Sequence, residues 1–412
     1  MGNRNNNCTD LLIIGGGIFG SSIAYYYKRE NPEKEVVVYE RNELCSGNTS
    51  LAAALMSRVR AYNHVIPLSI ETYRVIAELD KINGDRLPIH YNGAIHIAVN
   101  PERVESLEET LNIASSYGIG SKYITSSQAT QKVPWLTTTL ANKIAFVPGE
   151  AITDPYLLGT AFAKAARTLG VKFIRNTEVV EILKESDTVI GLRTKQGNHF
   201  AGTTILAAGV WSTNLAYQIG IALPMAAVRS QYWITENSAS KFPFNSPTVL
   251  IPEANFYSRP QGNSLLFGIR EAVSLYADPR NLPEDINNYP YSKDRGWCDL
   301  EENLEKLLPF FSGFPEIGIK NYIAGFSGYT PDNQFILGEI PGIDGLLLAT
   351  GCVGAGISVA GGVGLGIARM ASKKENPFDF SPYNCNRFGI VDPFSTDHLK
   401  KCAAARSKKT SG

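Results

Sequence analysis

Three glycines, Gly15, Gly17 and Gly20, stand between an apolar run, Leu11-Leu12-Ile13-Ile14, and a helical pattern beginning Ser21-Ser22-Ile23-Ala24. That spacing suits a turn that cradles phosphate: Gly15 allows the bend, Gly17 lets backbone approach a pyrophosphate, and Gly20 lets helix pack on strand. A second apolar run, Glu35 to Tyr39, ends in Glu40, about twenty residues past the last glycine, where a carboxylate can accept hydrogen bonds from an adenosine ribose. A lone glycine triplet is weak evidence; strand, helix and acid in register predict a dinucleotide site. Other residues with chemistry to offer are scattered. Arg58, Arg60 and Arg259 could each fork onto a substrate carboxylate, though each alone reads better as a surface or structural arginine. Tyr257 and Tyr329 could close a pocket through their hydroxyls or serve as packing aromatics, and His64, a lone histidine, reads as structural.

The elements that must position these residues follow from the pattern between them. After the first strand-helix-strand unit comes Cys45 to Leu55, polar and small. Small side chains such as Ala53 let backbone sit close to a planar ring, and the hydroxyls of Thr49 and Ser50 can hold phosphate or ribityl oxygens. A helix is predicted from Pro67 to about Asp80, strands over His90 to Val99, and a helix over Pro101 to Tyr117. From Pro155 to Leu169 the pattern is helical again. It leads to the strands Val171 to Ile174, Thr177 to Ile182, Val189 to Thr194 and His199 to Leu206, the last ending in Ala207-Ala208-Gly209-Val210-Trp211. Arg229 to about Gly268 reads as antiparallel sheet, the floor of a substrate pocket. The turn Thr350 to Ser358 precedes a small-residue helix, so its backbone N–H groups aim at whatever lies before the first turn. The tail from Ala403 to Gly412, with Arg406, Lys408 and Lys409, reads as disordered.

At 412 residues the chain suggests two domains or one large composite. Its 39 lysines and arginines balance 39 aspartates and glutamates, which leaves no net charge to drive binding to nucleic acid or anionic lipid and favours small-molecule chemistry. Six cysteines without a C-x-x-C pair argue against a metal site and a disulfide framework, and favour a reducing, cytoplasmic setting. Met1 to Asp10 is polar, without the apolar core of a secretory signal. From Gly345 to Ala368 no charge occurs, so a membrane span is one reading; eight glycines and a natural division into strand, turn and helix favour a buried element.

A nicotinamide enzyme needs one dinucleotide unit followed by a catalytic domain, whereas this chain returns to nucleotide-like architecture near residues 15, 209 and 351. A reduced flavin carries negative charge on its ring, and the helix terminus after Gly351 could stabilise it by roughly 0.3 to 2 kcal/mol. The glycine turn with Glu40, the Thr49-Ser50 and Ala52-Ala53-Ala54 run, the Ala207 to Trp211 strand end, Tyr329-Thr330-Pro331-Asp332 and the terminal glycine turn together resemble the FAD-dependent D-amino-acid oxidase family, which includes glycine and sarcosine oxidases and related dehydrogenases. The likeness covers about residues 10 to 390.

The resemblance implies an α/β fold: a Rossmann-type FAD-binding domain of the glutathione-reductase-like kind with an antiparallel-sheet substrate domain. The FAD-binding domain would comprise residues 9–88, 148–224 and 321–390, the substrate domain 89–147 and 225–320, with a tail over 391–412. It also implies FAD as cofactor, and oxidation of a small amine or amino acid to an imine by hydride transfer to flavin N5, with oxygen or a redox carrier as acceptor. Gly15, Gly17, Ile18, Phe19, Gly20, Glu40, Arg41, Thr49, Ser50, Ala53, Leu55, Val179, Ala208, Gly209 and Trp211 would contact the cofactor, with Gly354, Ala355, Gly356, Ile357 and Ser358 near the ring. Arg60, Tyr257, Arg259 and Tyr329 are the candidates on the substrate side.

Three departures qualify the likeness. Some members attach flavin through a cysteine where Ala324-Gly325-Phe326 stands here, so noncovalent FAD is expected. Leu265 to Gly268 replaces a strand that carries an oxygen-activating lysine in monomeric sarcosine oxidases. Gly325 to Gly328 replaces the carboxylate-binding arginine of glycine oxidases.

Overall fold

The computed structural model describes residues 8–284, 286 and 293–409. The segment Met1 to Asn7, part of the stretch read above as lacking a signal, lies outside the described residues, as does Thr410 to Gly412. The run Leu11 to Ile14 is buried along its length, as expected of a strand covered on both faces of a parallel sheet. It pairs in parallel with Val36–Tyr39 on one side and Gly197–Leu206 on the other. Gly197–Leu206 pairs in parallel with Ile343–Thr350, and Val36–Tyr39 with Lys172–Ile174. These strands belong to an eight-stranded sheet among the described residues, with Lys172–Ile174 at one edge. The ends Ile14, Leu206 and Thr350 come from distant parts of the chain and lie side by side, at the carboxyl edge where open α/β sheets take ligands.

The helices Ile18–Glu30 and Gly356–Ala371 pack on this sheet, and the helix Ile66–Asn83 packs on Gly356–Ala371. Their close approach depends on glycine. A Cβ at Gly361 would sit 2.6 Å from Thr72 Cα and 2.7 Å from its nitrogen, and one at Gly362 would sit 2.3 Å from Leu68 Cα. The uncharged stretch before Ala368 is thus a strand, a turn and a buried helix, and no described helix is long and apolar enough to cross a membrane. Alanine in a helix interior gains about 1 kcal/mol over glycine. Gly361→Ala is nevertheless expected to lose about 1 to 3 kcal/mol, because the obstacle is backbone that no rotamer change can move. A thermal denaturation midpoint at or above wild type would contradict this.

The second sheet has nine strands among the described residues. Ala226–Thr235 pairs antiparallel with Ile319–Tyr329 along its length, and Phe256–Gln261 joins Thr248–Ile251 to Ser264–Ile269 in an antiparallel meander. The sheet departs from purely antiparallel at one seam, where Thr248–Ile251 runs parallel to Ala94–Ala98. There two sequence-distant parts of the sheet meet, and no hairpin fixes their relative direction. The Ile319–Tyr329 strand crosses the boundary expected at residue 321 and delivers Tyr329 to the junction of the two sheets.

The tail is not disordered up to Lys409. Thr396–Ser407 is a helix capped by Ser395, whose hydroxyl accepts from His398 N at 3.3 Å. Leu399, Cys402, Ala403, Ala405 and Arg406 are buried, Asn333 Nδ2 donates to Ala405 O at 2.7 Å, and Arg406 pairs with Glu271 at 2.6 Å. The helix buries few large apolar side chains and takes much of its anchoring from partners far away in sequence. Polar composition hides both.

Candidate active site

The carboxyl edge of the first sheet opens on a cavity of about 550 Å³. At one end Glu40 receives two backbone donors, Gly16 N at 2.8 Å on one oxygen and Asn42 N at 2.9 Å on the other. Beside it the Arg41 guanidinium lies 3.8 Å from the centroid of the Trp211 ring. The glycine turn is tight: Gly15 has φ +106°, and a Cβ there would stand 2.5 Å from Ala207 O. A Cβ at Gly20 would stand 1.9 Å from Gly15 O. Ile18 N donates to Thr49 Oγ1 at 3.1 Å, which ties the small polar run to the start of the first helix.

Two helix N-termini face this cavity. The Ile18–Glu30 helix begins at Gly17 and the Gly356–Ala371 helix at Ala355, and neither N-cap side chain accepts a hydrogen bond. Gly17, Ile18 and Phe19 line the cavity from one helix, and Gly354, Gly356 and Ile357 from the other. Backbone donors with positive partial charge therefore converge from both sides on one space, suited to a pyrophosphate at one terminus and an anionic ring edge at the other. Between them, Ala207, Ala208 and Gly209 supply a wall without bulky side chains. Gly209 has φ +57°, and no heavy atom lies within 4 Å of the position of an added Cβ. These residues fit FAD.

The far end is aromatic and cationic: Tyr232, Tyr257, Tyr329, Arg270, Arg406 and Lys409 line it. Burial pushes the Tyr257 and Tyr329 hydroxyls above the usual phenol pKa, so both stay neutral and can donate. Arg270 lies 5.5 Å from the Tyr257 ring centroid, and burial lowers its pKa while leaving a guanidinium charge.

Of the expected cofactor residues, Gly15, Gly17, Ile18, Phe19, Glu40, Arg41, Thr49, Ala53, Leu55, Val179, Ala208, Gly209, Trp211, Gly354, Gly356 and Ile357 line the cavity. Gly20, Ser50, Ala355 and Ser358 stand behind the lining: Gly20 packs on Gly15 O, and the Ser50 hydroxyl donates to Gly47 O. On the substrate side Tyr257 and Tyr329 reach the cavity, and Arg60 and Arg259 are not part of its lining. Arg60 donates to Ser57 O at 3.2 Å and Ser358 Oγ at 2.7 Å. Arg259 donates to the carbonyls of Ala53 and Pro260. Arg58 is bound to Gly149 O, and His64 to Gln334 at 2.8 Å. All three sequence candidates for a carboxylate fork, Arg58, Arg60 and Arg259, thus hold backbone or side-chain oxygens of the scaffold. Sequence reasoning missed Arg270, Arg406 and Lys409. Arg270 directly follows the Ser264–Ile269 strand, a position that could have flagged it, whereas the other two lay in the stretch read as disordered.

The FAD dependent oxidoreductase (DAO) family model matches residues 10–370. Among curated relatives, mitochondrial sarcosine dehydrogenase of Homo sapiens is 26% identical over 386 residues, covering 92% of this chain and 41% of the relative. The chain thus spans less than half the length of that relative. Among solved structures, glycine oxidase from Geobacillus kaustophilus aligns with a TM-score of 0.77 at 23% identity over 94% of this chain and 100% of the other. L-proline dehydrogenase from P. horikoshii aligns with a TM-score of 0.81 at 22% identity over 93% and 98%. At such identities the two structures establish the fold, an α/β architecture with a Rossmann-type FAD-binding part. With the family match running from the glycine turn through the second helix terminus, the chain belongs to the FAD dependent oxidoreductase family, and FAD is its cofactor.

Proposed function

We propose that the chain oxidises the C–N bond of a small amine or amino acid to an imine while holding FAD noncovalently. The observation that carries this reading is the continuity of one cavity from the glycine turn to the wall of Tyr257, Tyr329 and Arg270, which brings a nucleotide cradle and a substrate-sized recess into contact. Bound FAD supplies the hydride acceptor. The protein's part is to hold and to orient. Gly15, Gly17 and Thr49 position the pyrophosphate, Glu40 the ribose, and Ala208, Gly209, Gly354 and Gly356 the ring, while the two tyrosine hydroxyls and Arg270 orient the substrate in a space shielded from water. The names of the relatives, which act on sarcosine, glycine and proline, support a small secondary or primary amine bearing a carboxylate.

The test is anaerobic addition of N-methyl, cyclic, D- and L-amino acids to the yellow protein. At least one class is expected to bleach the flavin absorbance, and failure of every class would leave a flavin-holding subunit without turnover. Transfer of electrons to a carrier rather than to oxygen is the second reading. It is favoured by the Ser264–Ile269 strand, which is buried throughout and bears no lysine, and it predicts faster reoxidation by a dye than by air.

Noncovalent attachment has its own check, because acid precipitation should leave the flavin in the supernatant. Colour in the pellet would contradict it and point to Cys352 or Cys45, the cysteines that line the cavity.

A further inference from the structure

Two residues beyond the end of the C-terminal helix, the Lys409 side chain enters the cavity and its Nζ donates to Val353 O at 2.9 Å, beside the turn that opens the Gly356–Ala371 helix. We propose that Lys409 is a specificity-determining cation of the substrate site, binding the carboxylate of the amine that the flavin oxidises. The inference rests on the amine-oxidising function proposed above.

Four observations carry it. The first is charge. The groups that act electrostatically on Lys409 are three guanidiniums, Arg60, Arg270 and Arg406, together with the Cys352 thiol. Glu271 pairs with Arg406 and Glu150 acts on Arg60, yet the charges acting on Lys409 itself are mostly positive, and in a space of low dielectric an anion beside it would be favoured. Burial, followed by the repulsion of Arg60 and Arg270, holds the Lys409 pKa well below the usual lysine value, and a bound carboxylate would offset both. The second is donor capacity: an ammonium has three N–H groups, and the bond to Val353 O uses one.

The third is placement. Lys409 shares the cavity end with Arg270 and with the neutral hydroxyls of Tyr257 and Tyr329, a donor-rich set suited to a carboxylate. The fourth is anchoring. Arg406 is pinned to Glu271, Ser407 shares a 2.9 Å bond with Ser274, and Asn333 holds Ala405 O, so the approach of Lys409 to the cavity is fixed by at least three ties. The segment lies past residue 370, where the family match ends.

The experiment uses the full chain loaded with FAD, and acetate as a probe that carries the carboxylate without the amine. Acetate should perturb the flavin spectrum saturably. Lys409→Met should raise its Kd at least about tenfold, as expected for loss of one charge-assisted hydrogen bond, and Lys409→Arg should restore it largely. For whichever carboxylate-bearing amine bleaches the flavin, Lys409→Met should raise KM by a similar factor with a smaller effect on kcat. No acetate binding to wild type, or equal Kd values for wild type and Lys409→Met, would overturn the inference while leaving amine oxidation standing. Lys409-dependent acetate binding without bleaching by any amine would overturn the reaction and leave the anion site. Should Lys409→Met lose FAD, the same titration of Lys409→Gln decides.

Discussion

Glu40→Ala is expected to weaken FAD binding by at least about tenfold. The reason goes beyond a lost ribose contact. In the structure both Glu40 oxygens are already at work, one accepting from Gly16 N at 2.8 Å and the other from Asn42 N at 2.9 Å, so the carboxylate braces the glycine turn from behind while its edge faces the cavity. Removing it orphans two backbone donors and takes an acceptor from the ribose. Hydrogen bonds to a charged group contribute about 1.5 to 3 kcal/mol, and 1.4 kcal/mol is a factor of ten. Titration of the apoprotein with FAD, followed by quenching of flavin fluorescence, measures the effect. Glu40→Gln, which keeps one acceptor oxygen, should fall between the two. An unchanged Kd for the alanine variant would refute the assignment.

Arg229→Met should cost about 3 to 5 kcal/mol of stability, the usual penalty for removing one partner from a buried ion pair. Arg229 is 1% exposed and bonds both Glu271, at 3.2 Å, and Asp299. Gln231 also donates to Asp299, at 2.9 Å, and receives the Tyr322 hydroxyl at 2.7 Å. Without the guanidinium, Glu271 keeps its ion pair with Arg406, and Asp299 loses its bond to Arg229. Burial raises the pKa of Glu271, but Arg406 and then Arg229 outweigh it and hold the carboxyl below its ordinary value. A carboxylate whose folded pKa is depressed stabilises the protein above its unfolded pKa, and that contribution disappears as pH falls through the folded value. The variant should therefore unfold in acid at a higher pH than wild type. Denaturant titrations at neutral and acidic pH would show both effects, and a loss below about 1 kcal/mol at neutral pH would contradict the buried-pair argument.

The nucleotide half was legible because its determinants are local. A glycine turn between a strand and a helix, and an acid at the end of the next strand, occupy Leu11 to Glu40. Close backbone approach demands glycine at Gly15 and Gly20 whatever the remainder of the chain does. The substrate half was legible only in Tyr257 and Tyr329, because its cations acquire meaning only from distant partners. Arg406 is an ordinary tail arginine until Glu271, 135 residues earlier in the chain, is placed beside it. Arg259, one of the arginines that could fork onto a substrate carboxylate, is claimed by the Ala53 carbonyl. The Thr396–Ser407 helix has too few large apolar residues to announce itself, since what it buries is chiefly alanine, cysteine and one leucine.

The side-by-side ends of Ile14, Leu206 and Thr350 also bear on how the protein is made. A ribosome releases these strands in order, and the sheet lacks Ile343–Thr350 until more than 300 residues have followed the first strand. Contacts of such sequence separation form slowly, because the intervening chain must be closed before they are rewarded. The flavin cradle is therefore completed only after Ile343–Thr350 has joined the sheet.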